Sequence, residues 1–285
     1  MRIDPHAHTN RSDGTDTPAG LMRAAAAAGL DVVGIADHDT TAGWEEAAAH
    51  VDATGVALLR GTEVSCTFDG IPVHLLAYLQ DPADPALTEV FAATRDSRHL
   101  RARKMVDLIA PDYPLTWQQV QAQVGPGASV GRPHIADALV AAGYFPHRDA
   151  CFERVLHPHG PYYVRHFSPH PVEAVELVRA AGGVPVMAHP RAQARGRIVP
   201  SDVIKDMARA GLFGLEAHHR DHTPLARRQV EEMAAELGLE ITGASDYHGT
   251  GKPNRLGENL TDEAVLARLE EQGKLEVIRP CWSST

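Results

Sequence analysis

The chain has 285 residues, 44% of them hydrophobic, and carries 27 basic against 37 acidic side chains for a net charge of −10. That suits one large domain, or one domain with an insertion, and argues against a broad basic surface for long duplex nucleic acid. No apolar run approaches the roughly 20 residues that span a bilayer.

The predicted elements alternate along the chain. Residues 2–7 read as a strand, and Thr17-Pro18 as a helix cap with proline at the first helical position, the helix closing at Gly29. Residues 31–36 form a second strand and 42–53 a helix; 57–65 and 71–79 are two more strands with a glycine-containing turn between them. Later come helices over 171–181, 201–210, 224–237 and 262–272, separated by strands over 184–188, 213–217 and 239–244. Such alternation predicts a parallel sheet, either a barrel or doubly wound. Residues 82–167 break the rhythm: they are helical and polar, charge-rich over 94–104 and rich in proline and glycine over 111–131. We read 1–81 and 168–285 as one barrel domain and 82–167 as a helical insertion contributing to the substrate site. Met1-Arg2-Ile3-Asp4 lacks the regions of a secretory leader, and Cys66, Cys151 and Cys281 are odd in number and widely spaced. Both features point to a reducing cytoplasm.

The unusual count is histidine, with 17 copies, and its placement matters more than its number. His6 and His8 end the first strand and, two apart, share a face. Asp13 follows in the next loop, His38 ends the second strand, Glu63 the third, and His189 follows the strand over 184–188. Glu216 and His218 end the next strand, and Asp246 and His248 follow the last. These are the strand ends that carry catalysis in parallel barrels. His74 lies within a strand and fits only if that strand is antiparallel or at an edge. Singly, such residues are more often hydrogen-bonded structural groups or helix caps. Together they would repel one another without a cation, and metal ions remove that cost. Imidazole with carboxylate and no cysteine suits Mn²⁺, Zn²⁺ or Fe, and the number of donors suits two or three ions able to clamp a phosphoryl group.

In these motifs the sequence resembles the PHP (polymerase and histidinol phosphatase) family. The matching pieces are Asp4-Pro5-His6-Ala7-His8, Asp37-His38-Asp39, Gly61-Thr62-Glu63-Val64, His74, Ala188-His189-Pro190 and Ser245-Asp246-Tyr247-His248. The resemblance implies a distorted (β/α)₇ TIM-like barrel with a three-metal site. It implies that His6, His8 and Asp246 hold one ion and that Glu63 bridges to a second bound by His74 and His189. Asp13, His38 and His248 would hold the third. It also singles out Arg132 and His134 as contacts to the substrate phosphate, where Pro133 would open a helix whose N-terminus favours anions. Pro5 departs from the family's usual apolar residue and should lie at an edge or unpaired position.

The implied activity is hydrolysis of phosphate esters by a metal-bridging hydroxide, with His134 or His218 protonating the leaving oxygen. The expected substrate is a nucleoside 3′,5′-bisphosphate or short RNA, with no duplex DNA, membrane or obligate protein partner. Alternatives are histidinol-phosphate hydrolysis, a C–N amidohydrolase and a non-catalytic metal-binding module. Arg191, Arg195 and Arg197 are expected in an exposed loop. His99, His147, His157, His159, His166 and His170 are expected in solvent, and Trp44, Trp117 and Trp282 in packing.

Overall fold

The computed structural model describes residues 1–125, 128–157 and 160–281; His159 and Trp282 lie outside them. Seven strands form one sheet in chain order: β1 (Ile3–Ala7), β2 (Val32–Ile35), β3 (Ala57–Phe68), β4 (Ile71–Tyr78), β5 (Val184–Met187), β6 (Gly214–His218) and β7 (Glu240–Gly243). All neighbouring pairs are parallel except β3–β4 and β4–β5, so β4 alone runs backwards. The sheet curls until Ala7 bridges Tyr247, with the His8 N–H donating to the Tyr247 carbonyl at 2.8 Å. The result is a nearly closed, distorted TIM-like barrel.

Local chemistry explains the elements. Helices α1 (Pro18–Ala27), α4 (Pro85–Ile109), α8 (Pro171–Ala180) and α10 (Pro224–Leu237) each begin with proline behind a side-chain cap, from Thr17, Asp84, His170 and Thr223 respectively. The cap accepts a free backbone N–H, and proline supplies none that would need a partner. The segment expected as one helix over 42–53 is two short ones, α2 (Trp44–Ala48) and α3 (Val51–Thr54), broken at His50. The glycine-containing turn is Asp69-Gly70, both with positive φ (47° and 74°), as a two-residue hairpin demands. Pro5 sits at a register shift in β1, between Asp4 and Ala7. Its carbonyl lies where any Cβ on Gly34 would be, 1.9 Å away, so β2 needs glycine there.

Between β4 and α8 come α4, α5 (Trp117–Gln121), α6 (Arg132–Ala141) and α7 (Arg148–Arg154). They enclose a core of their own, including Met105, Ile109, Ile135, Leu139, Cys151 and Leu156. The N-terminal half of α4 packs Leu87 and Phe91 onto the barrel core instead. This helix therefore ties the two cores together, and its middle faces the barrel mouth. The remaining helices, α9 (Ser201–Arg209) and α11 (Glu263–Gln272), cover the outside. Among the described residues no helix is long and apolar enough to cross a membrane.

Candidate metal centre

The nine residues expected as metal ligands meet at the mouth of the barrel. His6 and His8 leave the end of β1 side by side, their Nε2 atoms 3.0 Å apart. The Glu63 carboxylate lies between the other groups: Oε2 is 3.1 Å from His8 Nε2, 3.3 Å from His38 Nδ1 and 3.5 Å from His6 Nε2. Its Oε1 is 2.8 Å from His74 Nδ1 and 3.4 Å from His189 Nε2. Asp246 Oδ1 stands 3.3–3.5 Å from His8, His6 and His248, and Asp13 stands 3.2 Å from His248 Nε2 and 3.8 Å from His38 Nε2. His74 belongs here because β4 is antiparallel: the β3–β4 hairpin sets it opposite Ser65, two residues beyond Glu63. Three overlapping groups have donor atoms close enough to share an ion: His6, His8, Glu63 and Asp246; His8, Asp13 and His38; His38, Glu63 and His74.

The geometry is that of lone pairs aimed at one another. Glu63 Oε1, His38 Nδ1, His74 Nδ1 and His248 Nε2 are buried without a hydrogen-bond partner, despite their short separations. Orphaned donors and acceptors of this kind are costly, and cations between them would satisfy them all. The residues therefore fit divalent ions. Burial opposes charge on Glu63, Asp13 and Asp246, yet facing imidazoles and, for Asp246, Lys252 and Arg195, hold all three well below the usual carboxylate range. Burial also opposes charge on His8, but hydrogen bonds to Asp246 and Glu63 outweigh it and raise His8 to about 9. Burial pulls His38, His189 and His248 down, the last to about 4. Backbone strain gathers here too. His189, Asp246 and Asp39 have positive φ (31°, 51° and 52°), a conformation that non-glycine residues adopt mainly where the surroundings enforce it.

Supporting residues aim the donors. Glu216, in the middle of β6, accepts from His6 Nδ1 at 3.0 Å and from the His189 N–H at 3.0 Å. This fixes the His6 tautomer, so that Nε2 offers its lone pair to the cluster. Asp37 accepts from the Thr9 N–H, the Thr9 hydroxyl and the Ser12 hydroxyl at 2.8, 2.6 and 2.6 Å, which shapes the loop carrying Asp13. Asp39 accepts from the Ser65 N–H at 2.8 Å and its hydroxyl at 2.9 Å. The two aspartates beside His38 thus brace opposite sides of the site. Glu216→Gln should weaken metal affinity about 10–100-fold, read by metal titration of the purified variant, with its melting curve as a check on folding. An affinity equal to wild type would contradict this role.

A cavity of about 920 Å³ opens from the cluster and is lined by both Arg132 and His134. Arg132 opens α6, lies over the Phe152 and Tyr163 rings at 5.5 and 5.6 Å, and donates to the Leu156 carbonyl. His134 is buried; its Nδ1 accepts from the Gly131 N–H at 3.0 Å, and burial lowers its pKa. His218 is not brought there. A register shift between Glu216 and His218 breaks the two-residue alternation, and His218 turns out to Glu231 at 3.1 Å. The buried neighbour His219 takes the inward place, 3.6 Å from Asp246.

The arginine loop matches expectation at Arg195 and Arg197, which are exposed, and departs from it at Arg191. Arg191 is buried, donating to the Val199 carbonyl and the Ser201 hydroxyl, and Arg195 reaches back to Asp246 and His189. His166, expected in solvent, is half-buried on the cavity wall, where Arg101 NH1 donates to its Nδ1 at 3.1 Å. His99, His147, His157 and His170 are exposed. Two cavity residues went unread in sequence, Arg98 and Arg101. Their signal was present: on α4 they continue the buried stripe of Leu87, Phe91 and Thr94 at positions where apolar side chains would be expected.

The chain is similar to known proteins along its length. Residues 4–105 match the PHP domain. Over 280 residues, 98% of each chain, the sequence is 32% identical to a 3′,5′-nucleoside bisphosphate phosphatase of Chromobacterium violaceum. It is 30% identical to a 5′-3′ exoribonuclease of Haemophilus influenzae, covering 91% of this chain and 94% of that one. A Bifidobacterium adolescentis protein described as a metal-dependent phosphoesterase superposes with a TM-score of 0.92 at 43% identity, covering 95% of this chain and 96% of that one. Given this likeness along the whole chain, and the buried cluster of His, Asp and Glu at the barrel mouth, the chain belongs to the PHP family of metal-dependent phosphoesterases.

Proposed function

We propose that the enzyme removes phosphate from nucleoside 3′,5′-bisphosphates or nucleotides from the 5′ end of short RNA, using two or three divalent ions, with Mn²⁺ the first candidate. His6, His8, Glu63 and Asp246 would hold one ion. Glu63 would bridge to a second with His74 and His189, and Asp13 with His38 and His248 would hold a third. His38 stands near enough to Glu63 to serve either of the last two. When bound, such ions supply Lewis acidity and a nucleophilic water at neutral pH.

The observation that carries the substrate class is the cavity wall opposite the cluster. A chain with a net charge of −10 gathers Arg98, Arg101 and Arg132 around one space. Burial, and then repulsion from Arg132 and Arg98, pulls Arg101 down to about 9, still charged at neutral pH. Burial and the same arginines push His166 down to about 2, so it stays neutral. Arg98 Nε, Arg101 Nε and His166 Nε2 are buried without partners. Crowded cations with unused donors call for an anion, and a substrate with phosphate at both ends would meet the metals and Arg132 with one and the Arg98 and Arg101 part of this wall with the other. Arg132 would hold the reacting phosphate from the helix N-terminus. His134 accepts at Nδ1, so its Nε2 carries the proton, which faces the Ser12 backbone beside Asp13. Cys66, Cys151 and Cys281 are free thiols, which suits a reducing cytoplasm.

The test is phosphate release by Mn²⁺-loaded protein from adenosine 3′,5′-bisphosphate, beside histidinol phosphate and a chelator control. Rapid, chelator-sensitive release from the bisphosphate is expected. Release from histidinol phosphate alone would overturn the nucleotide assignment.

A further inference from the structure

We infer that Arg195 and a metal ion compete for His189, so that metal loading frees this arginine to meet the anion in the cavity. The inference rests on the metal reading above. Arg195 closes a 3₁₀ turn, Gln193–Arg195, and is followed by Gly196 at φ +125°. Its guanidinium spans four groups. NH2 donates to Asp246 Oδ2 at 2.5 Å and approaches His219 Nε2 at 3.5 Å, Nε donates to Asp221 Oδ2 at 2.7 Å, and NH1 donates to His189 Nε2 at 2.9 Å. Arginine has no acceptor, so His189 Nε2 must present its lone pair to NH1. That lone pair is the one an ion beside Glu63 would use, and it can serve only one partner.

Asp246 is different. Its Oδ1 faces His6 and His8, while Oδ2 faces Arg195 and Lys252. An ion on Oδ1 leaves the arginine contact on Oδ2 intact. Metal entry would therefore break the NH1 contact alone and leave the guanidinium anchored through NH2 and Nε. The released NH1 lies on a side chain that lines the cavity, where a tetrahedral anion beside the metals would accept from it. Binding linkage then runs both ways: metal makes an anion donor available, and an anion that holds Arg195 away from His189 favours the metal.

The test uses chelator-stripped full-length protein, wild type and Arg195→Ala, titrated with Mn²⁺ while the EPR signal of the free ion is followed, with and without millimolar sulfate. Without sulfate, Arg195→Ala should bind its weakest ion on the order of tenfold more tightly than wild type, the size of one charge-assisted hydrogen bond. Lys252 remains 3.1 Å from Asp246 in that variant, so the carboxylate keeps a cation. Sulfate should tighten Mn²⁺ binding more in wild type than in the variant. Equal or weaker Mn²⁺ binding by an Arg195→Ala protein with a wild-type melting curve would overturn the inference, as would an equal sulfate response. Should Arg195→Ala not fold, Arg195→Lys decides: a single ammonium cannot span His189, Asp246 and Asp221 together, so its Mn²⁺ affinity must exceed that of wild type. Wild type that takes up no Mn²⁺ would instead sink the metal reading itself.

Discussion

Replacing Glu63 by glutamine should lower kcat/KM for a phosphate ester on the order of 10³- to 10⁴-fold, the rate equivalent of the several kcal/mol a metal supplies to a phosphoryl transition state. The amide is nearly isosteric, so the loss would come from charge. Glu63 Oε1 and Oε2 face five imidazoles, from His6, His8, His38, His74 and His189. A neutral amide cannot bridge two cations, and its NH₂ would aim protons at lone pairs. Metal content of the purified variant should fall alongside activity; full metal content with full turnover would refute the bridging role.

The same variant carries a pH signature. His8 is raised from 6.5 to about 9. In chelator-treated protein that shift contributes stability fully present below pH 6.5 and lost as pH rises through 9. The melting temperature of chelated wild type should therefore fall across this window. In Glu63→Gln the fall should be smaller, because one of the three carboxylates that hold the proton on His8 is gone. A pH-independent melting temperature in wild type would contradict the assignment.

Replacing Arg101 by methionine should separate stability from activity. The guanidinium is buried and crowded by Arg132 and Arg98. An apolar side chain of similar length would remove that repulsion and the desolvation cost, raising stability by roughly 1–3 kcal/mol by analogy with buried charges replaced by well-packed hydrophobes. Large side chains lost from ordinary cores shift stability the other way. Activity on adenosine 3′,5′-bisphosphate should meanwhile fall about 10–100-fold, the worth of one or two hydrogen bonds to a charged group. Hydrolysis of a small monoester with no second phosphate should barely change. Thermal melts and paired kcat/KM values check both halves. An equal loss on both esters would mean that Arg101 supports the fold or the metal cluster rather than the second anion.

Much of the site was legible because it is local. His6 stands near the end of β1, and His38, His189 and Asp246 follow β2, β5 and β7 within three residues; a parallel sheet gathers such ends at one pole. Glu63 and Glu216 lie within β3 and β6, which run on past them. Helix starts were equally legible, since a polar cap followed by proline satisfies the first turn from within the segment. His74 could be included only conditionally, because its place depends on β4 running backwards. That direction follows from the Asp69-Gly70 hairpin, which leaves too little chain for a parallel crossover.

What the sequence determined by itself, then, is the barrel rhythm and the candidate donors near the strand ends, through short-range periodicity; which of them would hold ions came from the resemblance to the PHP family. Tertiary structure decided which side chains complete the site. A bulge in β6 turned His218 out and His219 in, although strict alternation puts 216 and 218 on one face. The packing of α4 against both cores carried Arg98 and Arg101 to the cavity from a segment that reads as a solvated charged helix. The turn after β5 folded Arg195 back onto Asp246. Each of these depends on a contact between residues far apart in the chain or on a single break of register, and the energies that settle such choices come from burial and charge pairing absent from any local window.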